Sequence, residues 1–426
     1  MSDIKAFQNF LDTSVSAYHA TANLRQLLEA DGYERLFEHE YWNLQPGGKY
    51  YLVRGGTTIL AFRVPNSTPN GFMMSACHTD RPTFKLKENC ELRGTYTRLA
   101  TEGYGGMIMS SWMDRPLSIA GRVMVQVEGG VEARLINIDQ DLMMMPNVAI
   151  HMNRSVNDGY KWNPAVDTVP MLGGQDDADK FWPLVEKYAG GRILGHDLYV
   201  YVRQKSSVWG IDGEFISGPA LDDLACAWGT TQGFLNAKDS DMVPVLCAFD
   251  DEEVGSNSPQ GAASTILEFT LERICGALKL DIHQMLAQSF LVSADNAHAI
   301  HPNHPELADK ANAPVMGYGL VLKFNAAQRY TTDGVSASVF RHVCEKVDVP
   351  LQTFTNRPDI RGGSTLGHIS LTHVSVPTAD IGLPQVAMHS CYETAAVADL
   401  GNLERAMTEF FGTSLQVHRD GGCHIY

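Results

Sequence analysis

Basic residues are scarce in this sequence. Of its 426 residues, 33 are Lys or Arg and 49 are Asp or Glu, which gives a formal net charge of −16 at pH 7. Nucleic acids and anionic membranes bind proteins through basic surfaces. The composition therefore argues against both kinds of partner, and an acidic small ligand would need a local basic pocket.

Cysteines and long apolar runs are also few. The chain has 8 cysteines and no C-x-x-C pair, which excludes a disulfide scaffold and a zinc ribbon. No apolar run reaches the length of about 18 residues that a membrane span needs. The first 20 residues carry acids early and lack a basic stretch followed by an apolar one, so we expect no signal peptide and a cytoplasmic protein.

Three regions of different pattern divide the chain. Residues 4–36 repeat apolar side chains at helical spacing, whereas residues 91–214 are rich in short alternating strands and turns. After residue 215, apolar strands alternate with longer helical segments, which is typical of an α/β domain. We predict a mostly parallel central sheet with flanking helices, formed by residues 1–90 plus 215–426 and interrupted by a β-rich insertion of residues 91–214.

Side chains that can ligate a metal follow apolar runs or begin helices at five places. These are His78, Asp222–Asp223, the acidic run 250–253, Asp295 and His389. Each place alone is weak, because an acidic run after a strand is most often a solvated loop. In open α/β sheets, however, the carboxyl ends of the strands converge on one crevice. Several unpaired charges in that crevice would need cations.

The types of ligand narrow the choice of metal. Imidazoles and carboxylates without a set of thiolates suit zinc, cobalt or manganese. Two such ions about 3.5–4 Å apart, bridged by one carboxylate, form a hydrolytic site that activates water. One carboxylate must then stay free as a general base. The adjacent Glu252 and Glu253 can supply a base and a ligand, since neighbouring side chains point in different directions.

A series of motifs follows in a specific order over nearly the whole chain. They are SACHTDRP, the Tyr104–Val123 stretch with YGG and SWMDRPLSIAGRV, NVAIHMNR, LDDL, FDDEEVGS, SADNAHAIHPNHP, KFNAAQRYTTDG, GGSTLG and ADIGLPQVAMHS. In this order they resemble the aspartyl aminopeptidase family of metallo-aminopeptidases. The resemblance implies a zinc-peptidase-like catalytic domain that removes N-terminal residues, preferably Asp or Glu, from peptides.

The resemblance also implies which residues hold metal. His78 and Asp295 would hold one divalent ion, Glu253 and His389 would hold a second, and Asp222 would bridge the two. Zinc is the expected ion, with cobalt or manganese as alternatives, because these metals share the same ligands.

Other residues take roles from the same resemblance. Glu252 would be the general base that takes a proton from the attacking water and returns it to the leaving amine. Asp80 would orient the first ligating imidazole. His151, in the insertion, would reach a neighbouring subunit's centre and help to hold the oxyanion. Lys323 and Tyr330 would line the substrate pocket, where the lysine would attract an acidic side chain.

The family resemblance implies an assembly as well. The insertion would make dimers, and six dimers would close into a tetrahedral dodecamer with internal active sites. Peptides would be the substrates of this homo-oligomer. The expected assembly rests on the resemblance alone, and neither composition nor motif spacing indicates it.

Some positions depart from the family pattern. Asp223 replaces the usual Asn, and could either add a charge near the metals or cap a helix. Arg361, Gly362, His368 and Tyr392 also differ from what the family usually has. Arg361 could strengthen recognition of an acidic side chain or lie on the surface. These changes leave the ligand set intact and affect the substrate preference.

Two other functions are alternatives to the aminopeptidase. Several histidines and cysteines near the motifs are also interpreted as structural and not as ligands. A di-metal deacylase or carboxypeptidase of the same clan would use a similar ligand set. A non-enzymatic metal-holding assembly would have no need for the free base Glu252. The imidazoles of His298, His301 and His304 are interpreted as supporting groups. The cysteines beside the ligands are interpreted as buried, inert thiols.

Overall fold

The computed structural model describes residues 3–360, 362–363, 365–418 and 422–426. Its α-helices are α1 (Ile4–Thr13), α2 (Ala17–Ala30), α3 (Phe181–Ala189), α4 (Leu221–Asn236), α5 (Ile266–Leu278), α6 (Ile282–Ala287), α7 (Gly334–Lys346), α8 (Leu366–Ser370) and α9 (Val397–Gly412). Among the described residues, no helix is both long and apolar enough to span a bilayer.

The strands are numbered in chain order. They are β1 (Glu34–Arg35), β2 (Lys49–Arg54), β3 (Thr58–Arg63), β4 (Phe72–His78), β5 (Thr83–Leu92), β6 (Tyr96–Tyr104), β7 (Leu117–Val127), β8 (Gly130–Asn137), β9 (Met171–Gly174), β10 (Ile193–Val202), β11 (Ser207–Trp209), β12 (Phe215–Gly218), β13 (Val243–Phe249), β14 (Phe290–Ala294), β15 (Ala297–His298), β16 (Leu320–Lys323), β17 (Leu351–Phe354), β18 (Thr378–Gly382), β19 (Pro384–Val386), β20 (Glu393–Ala396), β21 (Leu415–Val417) and β22 (Cys423–Ile425).

The predicted N-terminal helix of residues 4–36 is two helices with a break between them. Asp3 caps α1 by accepting the N–H groups of Lys5 and Ala6. Ser16 caps α2 through the N–H of His19. Serine competes with the helix for backbone partners and is therefore favoured at caps. The helical spacing is therefore correct for residues 4–13 and 17–30, whereas Ser16 starts a second helix and Glu34–Arg35 form strand β1.

A large, mostly parallel sheet forms the main layer, as predicted. Its strand order is β1-β2-β3-β13-β4-β14-β18-β16-β17. The central strands β13, β4, β14 and β18 run parallel to their neighbours in that group. Strands buried on both faces read as continuous apolar runs, and every residue of β4, β13 and β14 is buried.

Helices cover both faces of this sheet. One apolar cluster joins the sheet to α1, α2, α4, α7 and α9 through residues such as Leu24, Phe234 and Phe410. A second cluster packs α5, α6 and α8 on the other face, for example through Ile266 and Leu366. The fold is therefore a three-layer α/β arrangement.

A six-stranded sheet with its own core lies between Thr83 and Val202. Its order is β8-β7-β10-β5-β6-β9, and its strand pairs are antiparallel. Helix α3 packs on it through Phe181 and Val185. Its first strand starts before the boundary at residue 91 that the pattern suggested. The division into domains 1–90 plus 215–426 and 91–214 remains a prediction.

A five-stranded sheet lies beside the main sheet, in the order β11-β12-β20-β19-β15. Strands β12 and β20 pair from Phe215 with Ala396 to Gly218 with Glu393. Strand β12 leads directly into α4, and β19 leads into the loop that carries His389. This sheet thereby brings two distant parts of the chain to the edge of the main sheet.

Candidate active site

The predicted ligands meet because three neighbouring strands end at one edge. Strand β4 ends at His78, and Phe249, the last residue of β13, pairs with it. Strand β14 lies on the other side of β4 and ends one residue before Asp295. Parallel strands present their carboxyl ends together. His78, the acidic turn that follows β13 and Asp295 therefore share one crevice.

Asp222 stands at the centre of the ligand cluster. Its Oδ1 lies 3.5 Å from Nε2 of His78, and its Oδ2 lies 3.6 Å from Nε2 of His389. His389 Nε2 is also 3.5 Å from Oε2 of Glu253. Asp222 thus turns one carboxylate oxygen toward each imidazole, as a bridging ligand would.

The ligand atoms form overlapping groups of metal-site size. Within each group the atoms lie within 4.8 Å of one another. The groups are His78 with Asp222, Asp223 and Asp295; His78 with Glu252 and Glu253; and Asp222 with Glu253 and His389. All five predicted ligands therefore belong to this cluster.

The donor set fits a divalent cation. Three buried carboxylate oxygens, Asp222 Oδ1, Asp223 Oδ1 and Glu253 Oε1, accept no hydrogen bond from the described residues. A buried oxygen without a donor is costly. Imidazole and carboxylate ligands are those that zinc takes in catalytic sites. A cation held by these side chains would satisfy the oxygens that the protein leaves unpaired.

The pKa values of the clustered carboxyl groups also indicate a cation site. Burial raises the pKa of Glu252 to about 8, and the carboxylates of Asp295 and Asp80 add to the rise. Burial also raises the pKa values of Glu253 and Asp295. Acids crowded in a dry crevice resist ionisation. A bound cation would reverse this and keep them ionised.

Asp80 contacts the imidazole of His78. Its Oδ1 lies 3.2 Å from Nδ1 of His78, on the side opposite the Nε2 that faces Asp222. Its two oxygens also accept the backbone N–H groups of Glu252 and Glu253, at 3.2 and 3.1 Å. One carboxylate therefore connects the His78 imidazole to the acidic turn.

A cavity of about 300 Å³ opens over the cluster. Its wall includes the predicted substrate residues Lys323 and Tyr330, together with His298 and Phe354. Lys323 Nζ donates to the carbonyl of Asn296 at 2.9 Å and lies 3.5 Å from Asp295 Oδ1. Burial opposes its charge, but Asp295, Tyr330 and Asp380 together outweigh burial and raise the pKa of Lys323. The lysine stays cationic.

The structure does not bring His151 to this cavity. His151 is exposed in a turn between β8 and β9, and the residues that line the cavity do not include it. Its predicted role lies in a neighbouring subunit, so the placement within one chain does not decide it.

The residues that depart from the family pattern lie in different places. Asp223 is fully buried beside the ligands, where its Oδ2 accepts the backbone N–H of His78 at 3.1 Å. It adds a carboxyl group beside the proposed ligands and does not cap α4. Tyr392 bonds Lys205 and Ser207 away from the cavity wall.

Two of the remaining departures, Gly362 and His368, belong to the described residues. His368 is exposed on α8. Gly362 lines a separate cavity next to His298. Arg361 lies outside the described residues.

Two site residues escaped prediction. Glu393 is buried, and its carboxylate accepts the backbone N–H of Asp222 at 2.9 Å and that of His389 at 2.7 Å. Tyr104 donates to this region through its hydroxyl, 2.7 Å from Asp80 Oδ2. A glutamate that starts a strand and a tyrosine that ends one carry no local pattern that reveals such contacts.

The histidines that follow Asp295 and the cysteines near the cluster lie in different surroundings. His298 lines the active cavity, whereas His301 and His304 are exposed and border the adjoining one. Cys77 and Cys226 are buried free thiols, and burial raises the pKa of each. The interpretation of these cysteines as inert is consistent with their surroundings.

An imidazole and carboxylate cluster at the carboxyl edge of an α/β sheet, under a polar cavity, defines a metal-dependent hydrolase. The family described as "Aminopeptidase I zinc metalloprotease (M18)" matches residues 10–411. The chain belongs to this M18 family of metallo-aminopeptidases, which hydrolyse peptide bonds. The resemblance drawn from the motifs is thereby confirmed.

Individual relatives cover almost the whole chain. A "Probable M18 family aminopeptidase 2" of Clostridium novyi is 41% identical over 419 residues, which are 95% of this chain and 97% of the relative. The protein of Pseudomonas entomophila with the same description is 40% identical over 414 residues, 94% of this chain and 96% of its own.

Solved structures show the same fold. A cryo-EM structure of an Ape4 and Nbr1 complex aligns with a TM-score of 0.92 at 33% identity, covering 96% of this chain and 85% of that one. The S. cerevisiae mApe1 dodecamer aligns with a TM-score of 0.85 at 26% identity, covering 96% of both chains.

Proposed function

We propose that this aminopeptidase uses two divalent cations to remove N-terminal Asp or Glu from peptides. His78 and Asp295 would hold one ion, Glu253 and His389 the other, and Asp222 would bridge them. Zinc is the proposed metal, and cobalt or manganese could replace it. The observation that carries the proposal is the position of Asp222, with one oxygen turned to each imidazole.

When bound, the two ions would polarise the scissile carbonyl and lower the pKa of the attacking water. Glu252 would take the water's proton and deliver it to the leaving amine. A general base works best when its pKa lies near the operating pH, and the crevice holds the carboxyl of Glu252 well above its ordinary value. Asp80 would fix the ring of His78, since it faces Nδ1 and leaves Nε2 directed at the cluster.

Lys323 supports the acidic preference. It is a cation, 2% exposed, in the wall of the cavity that covers the cluster. The Tyr330 ring lies 5.4 Å from Lys323 Nζ and supports its position. A carboxylate on the substrate's first side chain would find its opposite charge here, in surroundings where water screens little.

The assembly is proposed on the same basis. Dimers formed by the inserted sheet would combine into a tetrahedral dodecamer, and His151 of one subunit would serve the oxyanion in another. The exposed position of His151 leaves it free for such a contact. We also propose a cytoplasmic location, because all eight cysteines are free thiols, as is usual in a reducing compartment.

The experiment is a panel of chromogenic aminoacyl substrates. Protein stripped of metal is assayed with zinc, cobalt or manganese added back. We expect cleavage of Asp and Glu substrates to return with metal and to exceed that of neutral or basic ones. N-acylated versions of the same substrates serve as the matched control.

Other outcomes discriminate among the alternatives. Cleavage of only neutral or basic substrates would reject the acidic preference and leave the metal chemistry in place. Cleavage of only the blocked substrates would indicate a deacylase. Absence of cleavage with every metal would favour a non-enzymatic assembly and reject the proposal.

A further inference from the structure

One segment of the inserted sheet contacts both turns that carry the ligands of one proposed metal. Residues 104–111, here named the bracing segment, begin at the end of β6 and run toward β7. The first turn holds Glu253 and follows β13, and the second holds His389 and follows β19. The sequence motif YGG opens this segment, and the proposed chemistry uses none of its residues.

Tyr104 anchors the bracing segment to the first turn. Its hydroxyl lies 2.7 Å from Asp80 Oδ2 and 2.8 Å from Asp251 Oδ1. Asp80 in turn accepts the backbone N–H groups of Glu252 and Glu253 and faces the ring of His78. The phenol of Tyr104 therefore contacts the carboxylate of Asp80. That carboxylate in turn contacts the proposed ligands His78 and Glu253 and the proposed base Glu252.

Gly105 then passes directly against Glu253. A Cβ added at Gly105 would lie 3.0 Å from Glu253 Cβ and 3.4 Å from its carbonyl oxygen. The φ of Gly105 is +74°, a value that glycine adopts without strain. The close approach leaves little room for a side chain, and the left-handed backbone would strain any residue that has one. The glycine lets the bracing segment lie on the residue that ligates metal.

The far end of the segment holds the second turn. The N–H of Ile108 donates to the carbonyl of His389 at 3.0 Å. The hydroxyl of Ser111 accepts the N–H of Cys391 at 3.0 Å, and the Ser111 carbonyl accepts from the thiol of Cys391 at 2.8 Å. These contacts hold the carbonyl of His389 and the residue two positions after it.

Both turns have backbones that need such support. Asp251 has a φ of +60°, Ala387 a φ of +58° and His389 a φ of +65°. Residues other than glycine occupy this left-handed region at a cost and remain there only when their surroundings hold them. The bracing segment contacts Asp251 through Tyr104 and His389 through Ile108.

We propose that the bracing segment is a positioning device for the metal centre. The inserted sheet would then do more than assemble subunits, because its Tyr104 and Gly105 would set where Glu253 and His389 present their ligand atoms. Tyr104 is a positioning residue that acts through Asp80 and does not touch substrate. This inference rests on the proposed ligand roles of Glu253 and His389.

The test compares Tyr104→Phe and Gly105→Ala with two controls on the same strand. Tyr104→Phe removes only the hydroxyl and keeps the ring, which contacts Tyr199 at 5.6 Å. Tyr96→Phe is its control, since Tyr96 is 56% exposed. Gly103→Ala is the control for Gly105→Ala, because a Cβ there would meet only Met107 Cε, at 3.6 Å.

Two quantities are measured on the intact assembled protein. The first is metal content after dialysis against graded chelator, and the second is the pair kcat and KM. Groups that orient metal ligands typically contribute about 10- to 100-fold to metal affinity or activity. We expect Tyr104→Phe and Gly105→Ala to lose metal at chelator concentrations at least about 10-fold lower than their controls. Their kcat should fall while KM changes little.

Other results for metal retention and kcat would overturn the inference. Metal retention and kcat equal to those of Tyr96→Phe and Gly103→Ala would overturn the inference. A variant that unfolds at a lower temperature with metal in place, without weaker metal retention, would show a merely structural role and also overturn it. If the unsubstituted protein showed no metal-dependent cleavage, the proposed function would fail. Metal retention would still decide the inference, because it needs no substrate.

Discussion

Two adjacent glutamates in the turn after β13 make different contacts. Glu253 turns Oε2 toward His389 at 3.5 Å, whereas Glu252 lies near His78 and lines the cavity. The backbone N–H groups of both donate to Asp80, which fixes the turn that carries the two side chains. The contact of Glu253 with His389 suits that residue to hold metal, and leaves Glu252 to move a proton.

Glu252→Gln tests that division. The amide keeps the size of the side chain but cannot accept a proton from water. We expect both metals and the assembly to be retained, and kcat to fall by about 10²-fold or more, the scale of a lost general base. Elemental analysis gives the metal content, and the aminoacyl assay gives the rate.

Glu253→Gln is the matched comparison, with the same chemical change one residue away. It should lose metal, because it replaces a proposed ligand. Equal rates for Glu252→Gln and the unsubstituted enzyme would place the base on another residue. Loss of metal from Glu252→Gln would instead make that residue a ligand.

At the residue scale, position in the sequence suggests the proposed ligands more readily than the residues that support them. His78, Asp222, Glu253 and Asp295 could be proposed as ligands because each stands where an apolar strand ends or a helix starts. Glu393 could not, since its contacts with Asp222 and His389 exist only after β20 pairs with β12. Contacts made across a fold have no spacing in sequence that reveals them.

At the element scale, strands were easier to predict than boundaries. The runs that became β4, β13 and β14 are buried throughout and read as continuous apolar segments. The start of the six-stranded sheet was harder to place, because β5 begins at Thr83, five residues after β4 ends. No change of composition marks a connection that short.

Helix α4 carries Asp222 and packs closely against α9. A Cβ added at Gly229 would lie 2.5 Å from Leu403 Cδ2, and one at Gly233 would lie 2.5 Å from Met407 Cβ and 2.8 Å from its backbone carbon. The two glycines are one turn apart, so they share a face of α4. They let the two helices approach closely, so that the C-terminal half of α4 packs directly on α9.

Gly233→Ala should therefore destabilise the protein. Alanine favours a helix by about 0.5–1 kcal/mol over glycine, but overpacking against backbone typically costs about 1–3 kcal/mol. The net effect should be a lower free energy of unfolding, measured as a lower midpoint in thermal or denaturant unfolding of the metal-loaded protein.

Gly276→Ala provides the control for that substitution. Gly276 lies in α5, and a Cβ there would meet nothing within 4 Å. The same change should leave the unfolding midpoint unchanged or raise it, since only the helix preference operates. A rise of equal size in both variants would show that α4 and α9 adjust their separation at little cost.

At the scale of the whole molecule, negative charge is both abundant and concentrated. The chain carries a net charge of −16, and a buried cluster of carboxyl groups joins parts of the chain from His78 to His389. Like charges brought together in a dry crevice oppose folding. The ligands belong to the ends of β4, β13 and β14, the start of α4 and the loop after β19. A cation held there would connect all of these elements.

Removal of metal should therefore lower the stability of the entire fold. A ligand that binds only the folded state contributes about 2.7 kcal/mol when its free concentration is 100-fold above its Kd. We expect dialysis against a strong chelator to lower the thermal unfolding midpoint, and zinc, cobalt or manganese to restore it. The same chelator saturated beforehand with zinc, which leaves it no capacity to strip the protein, is the control for its direct effects. If elemental analysis showed the metal gone and the midpoint had not moved, the cluster would tolerate its own charge. Its ions would then serve the chemistry without stabilising the fold.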